Sequence, residues 1–181
     1  MANPESIHRK DLLRQNMRRL LRESPLDSRP VTRVLDTWLA HRPALQTLAV
    51  FAPLPGEVDL MDLTANHPER RWVYPRVTGQ DLTFHVVKTP ATELVSGAFG
   101  ILEPSPGLPE VPVAEIDAFF CPGLAFNPTG GRLGRGKGFY DRMLAHARPD
   151  ALKVGVCFPC QIVADTYAEA HDIHMDEVIC G

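Results

Sequence analysis

The chain has 181 residues, 44% of them apolar and 23% charged, with a formal net charge of −3. That length suits one domain with its own core, needing no disulfide or metal staple. The acidic balance excludes any global attraction to nucleic acid or an anionic membrane, so an anion site must come from local clustering of cations.

In chain order, residues 7–21 read as an amphipathic helix. Leu13, Met17, Leu20 and Leu21 recur on one stripe, and Lys10, Arg14, Arg18 and Arg22 share another. Ser24 and Pro25 end it. A second helix is predicted over 29–41, burying Val31, Val34, Leu35, Trp38 and Leu39, with Pro43 as its stop. Residues 47–52 (TLAVFA) are a short apolar strand that breaks at Pro53-Leu54-Pro55-Gly56. A helix over 58–66 and strands over 71–74 and 82–87 follow. The stretch 90–112 is rich in Pro and Gly and reads as one long loop, too long to be idle in a compact domain. Residues 116–121 form a strand ending at Pro122-Gly123. A glycine-rich basic segment leads into a helix over 139–146, and strands are expected over 153–158 and near 177–180. Helices alternating with buried apolar strands predict a single α/β domain: a three-layer α/β/α sandwich with a mainly parallel sheet.

The longest apolar stretches, 48–54 and 118–126, fall short of the roughly 18 to 20 residues that a membrane span needs. The N-terminus shows no apolar signal core, which points to the cytosol, and four cysteines then read as reduced thiols.

The most informative segment is 130–138, which packs five glycines and three cations, Arg132, Arg135 and Lys137, into nine residues. Glycines let backbone N–H groups approach a ligand closely, a helix N-terminus favours phosphate, and an Arg grips phosphate with two parallel hydrogen bonds. From Gly131 to Lys137 the spacing satisfies the first seven positions of a Walker loop. It then fails, because Gly138 stands where Ser or Thr holds magnesium. A phosphate site of another kind is expected, with its metal ligands elsewhere.

Pro122-Gly123-Leu124-Ala125-Phe126 followed by Arg132-Leu133-Gly134-Arg135-Gly136-Lys137-Gly138-Phe139-Tyr140-Asp141 resembles the signature of the 5-formyltetrahydrofolate cyclo-ligase family, also called methenyltetrahydrofolate synthetase. Further similarity lies in Lys10 with Arg14, Glu57, Tyr74-Pro75-Arg76, Gly100-Ile101-Leu102-Glu103-Pro104, His171-Asp172 and Asp176-Glu177-Val178. The resemblance implies an enzyme that uses ATP and Mg2+ to convert 5-formyltetrahydrofolate into 5,10-methenyltetrahydrofolate, releasing ADP and phosphate. The formyl oxygen takes the γ-phosphoryl group, and N10 then closes the ring.

Carried over by matching position, the resemblance implies ATP contacts at Lys10, Arg14, Arg132, Leu133, Gly134, Arg135, Gly136, Lys137, Gly138, Phe139 and Tyr140. Arg135 and Lys137 are the catalytic cations. Folate contacts fall on Ala52, Glu57, Tyr74, Arg76 and Phe99, and on 135–139, with Glu57 reading the donor edge of the pterin. Asp141 and Asp172 are the metal ligands. Ala52 and Asn127 depart from the residue types usual in the family, with Asp more common at the second, and Phe99 stands where the family has an aromatic, often Trp.

Each position also has a plainer reading. Lys10 and Arg14 belong to a solvated stripe, Asp141 is a first-turn acid favoured by the helix dipole, and Asp172 is a loop aspartate. Cys157-Phe158-Pro159-Cys160 has the spacing of a redox or zinc pair, but Cys121 and Cys180 are not spaced to complete a zinc site. His171 and His174 make a weak metal pair. The competing functions are a sugar-phosphate isomerase or other phosphate-binding α/β enzyme, and a nucleic-acid-binding module built on the first helix. The second lacks interleaved aromatics. The chain is expected to work as a monomer or weak homodimer, with folate and ATP as its partners.

Overall fold

The computed structural model describes residues 4–97 and 100–181. The chain opens with two helices, α1 (Pro4–Glu23) and α2 (Arg29–Ala40), before its first strand, β1 (Thr47–Ala49). A short helix α3 (Met61–Asn66) crosses to a hairpin of β2 (Arg71–Thr78) and β3 (Asp81–Val86). The region expected as a long loop holds a helical turn α4 (Pro90–Glu93) and strands β4 (Leu94–Ser96), β5 (Leu102–Pro104) and β6 (Glu110–Val111). These strands are two or three residues long, so no alternation could show them in the sequence. After β7 (Ala118–Cys121) come a tight hairpin of β8 (Ala125–Phe126) and β9 (Arg132–Leu133), helix α5 (Phe139–Leu144), β10 (Leu152–Cys157) and β11 (Glu177–Cys180).

Seven strands form the central sheet in the order β11-β10-β7-β1-β2-β3-β6. The first five run parallel, and β3 pairs antiparallel with both β2 and β6. From β1 the chain turns to β2 on one side, and from β7 to β10 on the other. The order therefore reverses between β1 and β7. In open α/β sheets the crevice at the carboxyl ends of such a strand pair is where ligands bind.

Both faces of the parallel strands are covered, which is why these strands read as continuous apolar runs. Leu48, Phe120, Val154 and Val156 pack with α1, α2 and α3, whereas Ala49, Phe119, Cys121 and Cys157 pack with Met143 and Leu144 of α5. Trp38 of α2 meets Phe120 edge-on at 5.7 Å between ring centroids. Two expected core residues sit outside it: Val34 and Leu20 are exposed. Lys10 takes the place expected of an apolar side chain. It lies four and seven positions from Arg14 and Met17, on the stripe of α1 that faces the protein, and is 7% exposed.

Candidate active site

A cavity of about 910 Å3 opens at the β1–β7 crevice. Residues just past β1 (Phe51, Ala52, Leu54, Glu57) and just past β7 (Pro122, Gly123) form its floor. The glycine-rich segment 132–142 forms one wall, and α1 closes it with Ile7, Lys10 and Arg14. Glu169, His171 and Asp172 arrive from the loop after β10. Pro75, Val77, Leu82 and Ile101 give it an apolar part, with the buried Glu103 carboxylate 3.4 Å from Val77 N, and the rest of the lining is rich in charge.

The glycine-rich segment is not a single loop. Arg132 and Leu133 pair antiparallel with Phe126 and Ala125, so only 134–138 is free to cradle a ligand. Gly136 has a φ of +101° and Gly138 one of +67°, a region that side-chain-bearing residues rarely enter. Helix α5 has six residues, too short for a full macrodipole, so the positive charge here comes from side-chain cations more than from a helix end. Helix α1 is stapled to this loop: Arg14 Nε donates to Gly134 O at 3.1 Å, and Arg18 donates to Arg135 O at 3.4 Å.

Three cations of the site are paired with its carboxylates. Lys10 Nζ lies 2.6 Å from Asp172 Oδ2 and 3.3 Å from Glu169 Oε2. Burial pushes the Asp172 carboxyl up, but the Lys10 ammonium and the Glu169 N–H outweigh it and leave it below its ordinary value. Arg132, its side chain 3% exposed, donates to Asp141 Oδ1 at 2.9 Å, and its guanidinium lies 5.4 Å from the Tyr140 ring. Burial pushes the Tyr140 phenol well up, so it stays a neutral donor at physiological pH. Arg135 Nε donates to Glu57 Oε1 at 2.8 Å, which links the glycine-rich segment to the turn after β1.

Every expected ATP contact from Lys10 to Tyr140 lines this cavity, as do Ala52, Glu57, Asp141 and Asp172. The Ile173 N–H reaches Asp141 Oδ1 at 3.4 Å, which brings the two expected metal ligands onto neighbouring stretches of one wall. The expectations for Tyr74 and Arg76 find no support in the geometry. Tyr74 is 1% exposed in the core beneath α3, and Arg76 donates to Pro104 O at 3.1 Å and Ser105 O at 2.6 Å. Successive strand residues face opposite ways, so Pro75 and Val77 are the ones turned to the cavity. Phe99 lies outside the described residues. Asn127 caps its own turn, its Oδ1 accepting from Gly131 N at 2.7 Å and Thr129 N at 3.1 Å.

Sequence reasoning missed Glu169, which joins Lys10 and Asp172 and has no motif to announce it. Glu169, His171 and Asp172 form the one group of three metal-capable side chains among the described residues, their ligand atoms within 4.8 Å of one another. No cysteine belongs to such a group. Burial pushes the Cys157 thiol up to about 12, the opposite of an activated thiol. His174 turns away, to Thr129 O at 3.5 Å.

This fold and cavity define a mainly parallel α/β protein in which clustered cations and apolar side chains share one crevice at the sheet's carboxyl edge. A family model described as the 5-formyltetrahydrofolate cyclo-ligase family matches residues 6–181, and the chain belongs to that family. A cyclo-ligase of Escherichia coli K12 is 32% identical over 147 residues, covering 74% of this chain and 76% of the relative. One of Mycoplasma genitalium is 27% identical over 100% of this chain and 99% of its own length. The match to a Mycolicibacterium smegmatis cyclo-ligase is 41% identical but spans 48% of this chain and 45% of that protein. The solved structure of Aquifex aeolicus 5,10-methenyltetrahydrofolate synthetase superposes with a TM-score of 0.79 at 32% identity, covering 94% of this chain and 89% of that one.

Proposed function

We propose that this protein closes the ring of 5-formyltetrahydrofolate at the expense of ATP, producing 5,10-methenyltetrahydrofolate, ADP and phosphate. The observation that carries the reading is the shared crevice: Lys10, Arg14, Arg132, Arg135 and Lys137 line the same cavity as the apolar Pro75, Val77, Leu82 and Ile101, and Arg135 pairs there with Glu57. A ligase that moves a phosphoryl group onto a folate needs both in contact.

In this mechanism the formyl oxygen attacks the γ-phosphorus and the bond to the β-phosphate oxygen breaks, releasing ADP. N10 then adds to the activated carbon, loses its proton, and the C–O bond to phosphate breaks. Lys10, Arg14 and Arg132 hold the nucleotide phosphates, while Arg135 and Lys137 meet the charge spread over the transferring group. Little covalent work falls to the protein; positioning and charge neutralisation supply the rate. Pro75, Val77, Ile101 and Phe139 enclose the flat ring system and exclude water, with Glu57 at its edge.

The hard oxygens of Asp172, with Glu169 beside it, and of Asp141 on the neighbouring stretch would hold Mg2+, which would neutralise phosphate charge. Those carboxylates pair here with Lys10 and Arg132.

The test follows the oxygen. Substrate labelled with oxygen-18 in the formyl group should yield labelled inorganic phosphate. Label released into water instead of phosphate would rule out the phosphorylated intermediate. A sugar-phosphate isomerase would need no ATP at all.

A further inference from the structure

Glu57 was expected as a folate contact, but its carboxylate has two other partners. Oε1 accepts from Arg135 Nε at 2.8 Å and Oε2 accepts from Leu54 N at 2.9 Å. Its side chain is 6% exposed, against 33% for Arg135. The two residues are 78 positions apart, one on the turn after β1 and one in the phosphate-cradling loop. That turn is fixed from behind: Gly56 has a φ of +85°, and an added Cβ would stand 3.1 Å from Leu21 Cβ of α1. Glu57 is therefore a rigid post, and Arg135 leans on it with a further contact to Pro55 O at 3.4 Å.

We propose that Glu57 is a positioning residue for Arg135, fixing the guanidinium at the seam where the phosphoryl group passes from nucleotide to folate. The inference rests on the functional reading above. A free arginine samples many rotamers, and holding Nε in an ion pair settles that choice before substrates arrive while leaving other N–H donors of the fork for phosphoryl oxygens. Each carboxylate oxygen also has a second lone-pair site, so a folate N–H donor joins the pair without displacing Arg135. A neutral donor does not compete with a cation for that position. Glu57 thus serves both substrates, and its main effect falls on the chemical step.

The experiment is a double-mutant cycle read at saturating folate and ATP. Glu57→Gln should lower kcat about tenfold to a hundredfold, and in an Arg135→Ala background it should lower kcat by less than about twofold. The ATP Kd of Glu57→Gln should stay within about threefold of wild type, since the guanidinium is needed in the transition state more than in the ground state. If Glu57→Gln fails to fold, Glu57→Asp keeps the charge while drawing the oxygens back by one methylene, and the same cycle applies. Full kcat with only a raised folate KM would show Glu57 to be a plain binding residue and overturn the inference. Additive losses in the cycle would overturn it as well. A wild-type protein that never turns over would sink the functional reading and the inference with it. Wild-type turnover with additive losses sinks the inference alone.

Discussion

Replacing Asp141 with asparagine should cost stability and metal dependence together, and the structure sets the size of the first effect. Asp141 is the charged partner of Arg132, whose side chain is 3% exposed and whose Nε has no hydrogen-bond partner. That guanidinium also donates to Pro122 O at 3.3 Å. Breaking a buried ion pair outright costs about 3–5 kcal/mol. Here the asparagine oxygen still accepts from Arg132, and Asp141 is 24% exposed, so solvent takes up part of the stranded charge. Exchanging a charge-assisted bond for a neutral one, with incomplete screening of Arg132, leaves a loss of about 1–3 kcal/mol. For a chain of this size that is a fall in Tm of about 2 to 12 °C. Differential scanning fluorimetry without ligands reads the stability term. Titration with Mg2+ at fixed ATP reads the second effect, a rightward shift of the activation curve. Unchanged melting together with an unchanged Mg2+ curve would refute both roles of Asp141.

Three further outcomes follow from the same ion pairs and from the core. Lys10→Met removes a cation from the crevice while keeping the stem that packs on α1's inner stripe; calorimetry should find ATP affinity lower by about tenfold to a hundredfold, and equal affinity would remove Lys10 from the nucleotide site. Asp172 and Asp117 both titrate below their ordinary value, the first through Lys10, the second through the Thr47 and Gln46 N–H groups and Arg148, in each case against an opposing push from burial. A depressed carboxylate contributes stability that is present above its unfolded pKa and lost as pH falls through the folded one, so Tm should hold steady down to about pH 5 and drop below about pH 4; a Tm that stayed level to lower pH would contradict both pairs. Burial pushes the Cys121 and Cys157 thiols up to about 12, while Cys180 is exposed. A thiol reagent at neutral pH should modify Cys180 first, Cys160 more slowly, and Cys121 and Cys157 only after unfolding, as peptide mapping will show.

The inner parallel strands β1, β7 and β10 were legible because each holds an apolar run buried on both faces, and α1 and α2 because apolar residues recur in them at three and four. The site was legible where chemistry is concentrated in one stretch: cations among glycines after a strand advertise an anion. What remained hidden depends on contacts distant in sequence. Nothing local marks Glu169 as the partner of a lysine 159 positions earlier. Tyr74 and Arg76 were one step out of phase, because the motif names a tripeptide while the pleat turns Pro75 to the cavity. The strands within 90–112 are held by pairing with β3 and with each other, not by a pattern of their own. Periodicity alone put Lys10 on a solvated stripe and only the family resemblance gave it a ligand, since a lysine is rarely buried; its burial follows from carboxylates that the fold brings in from the other end of the chain.

A crevice that joins a nucleotide to a folate must couple their turnover. The most direct test follows methenyl-folate absorbance while ADP is quantified in parallel, with purified protein, 5-formyltetrahydrofolate, ATP and Mg2+, and with each component omitted in turn. Absorbance should rise only in the complete mixture, with ADP and product formed in equal amounts. Product formed without ATP, or ATP hydrolysed without product, would contradict that coupling.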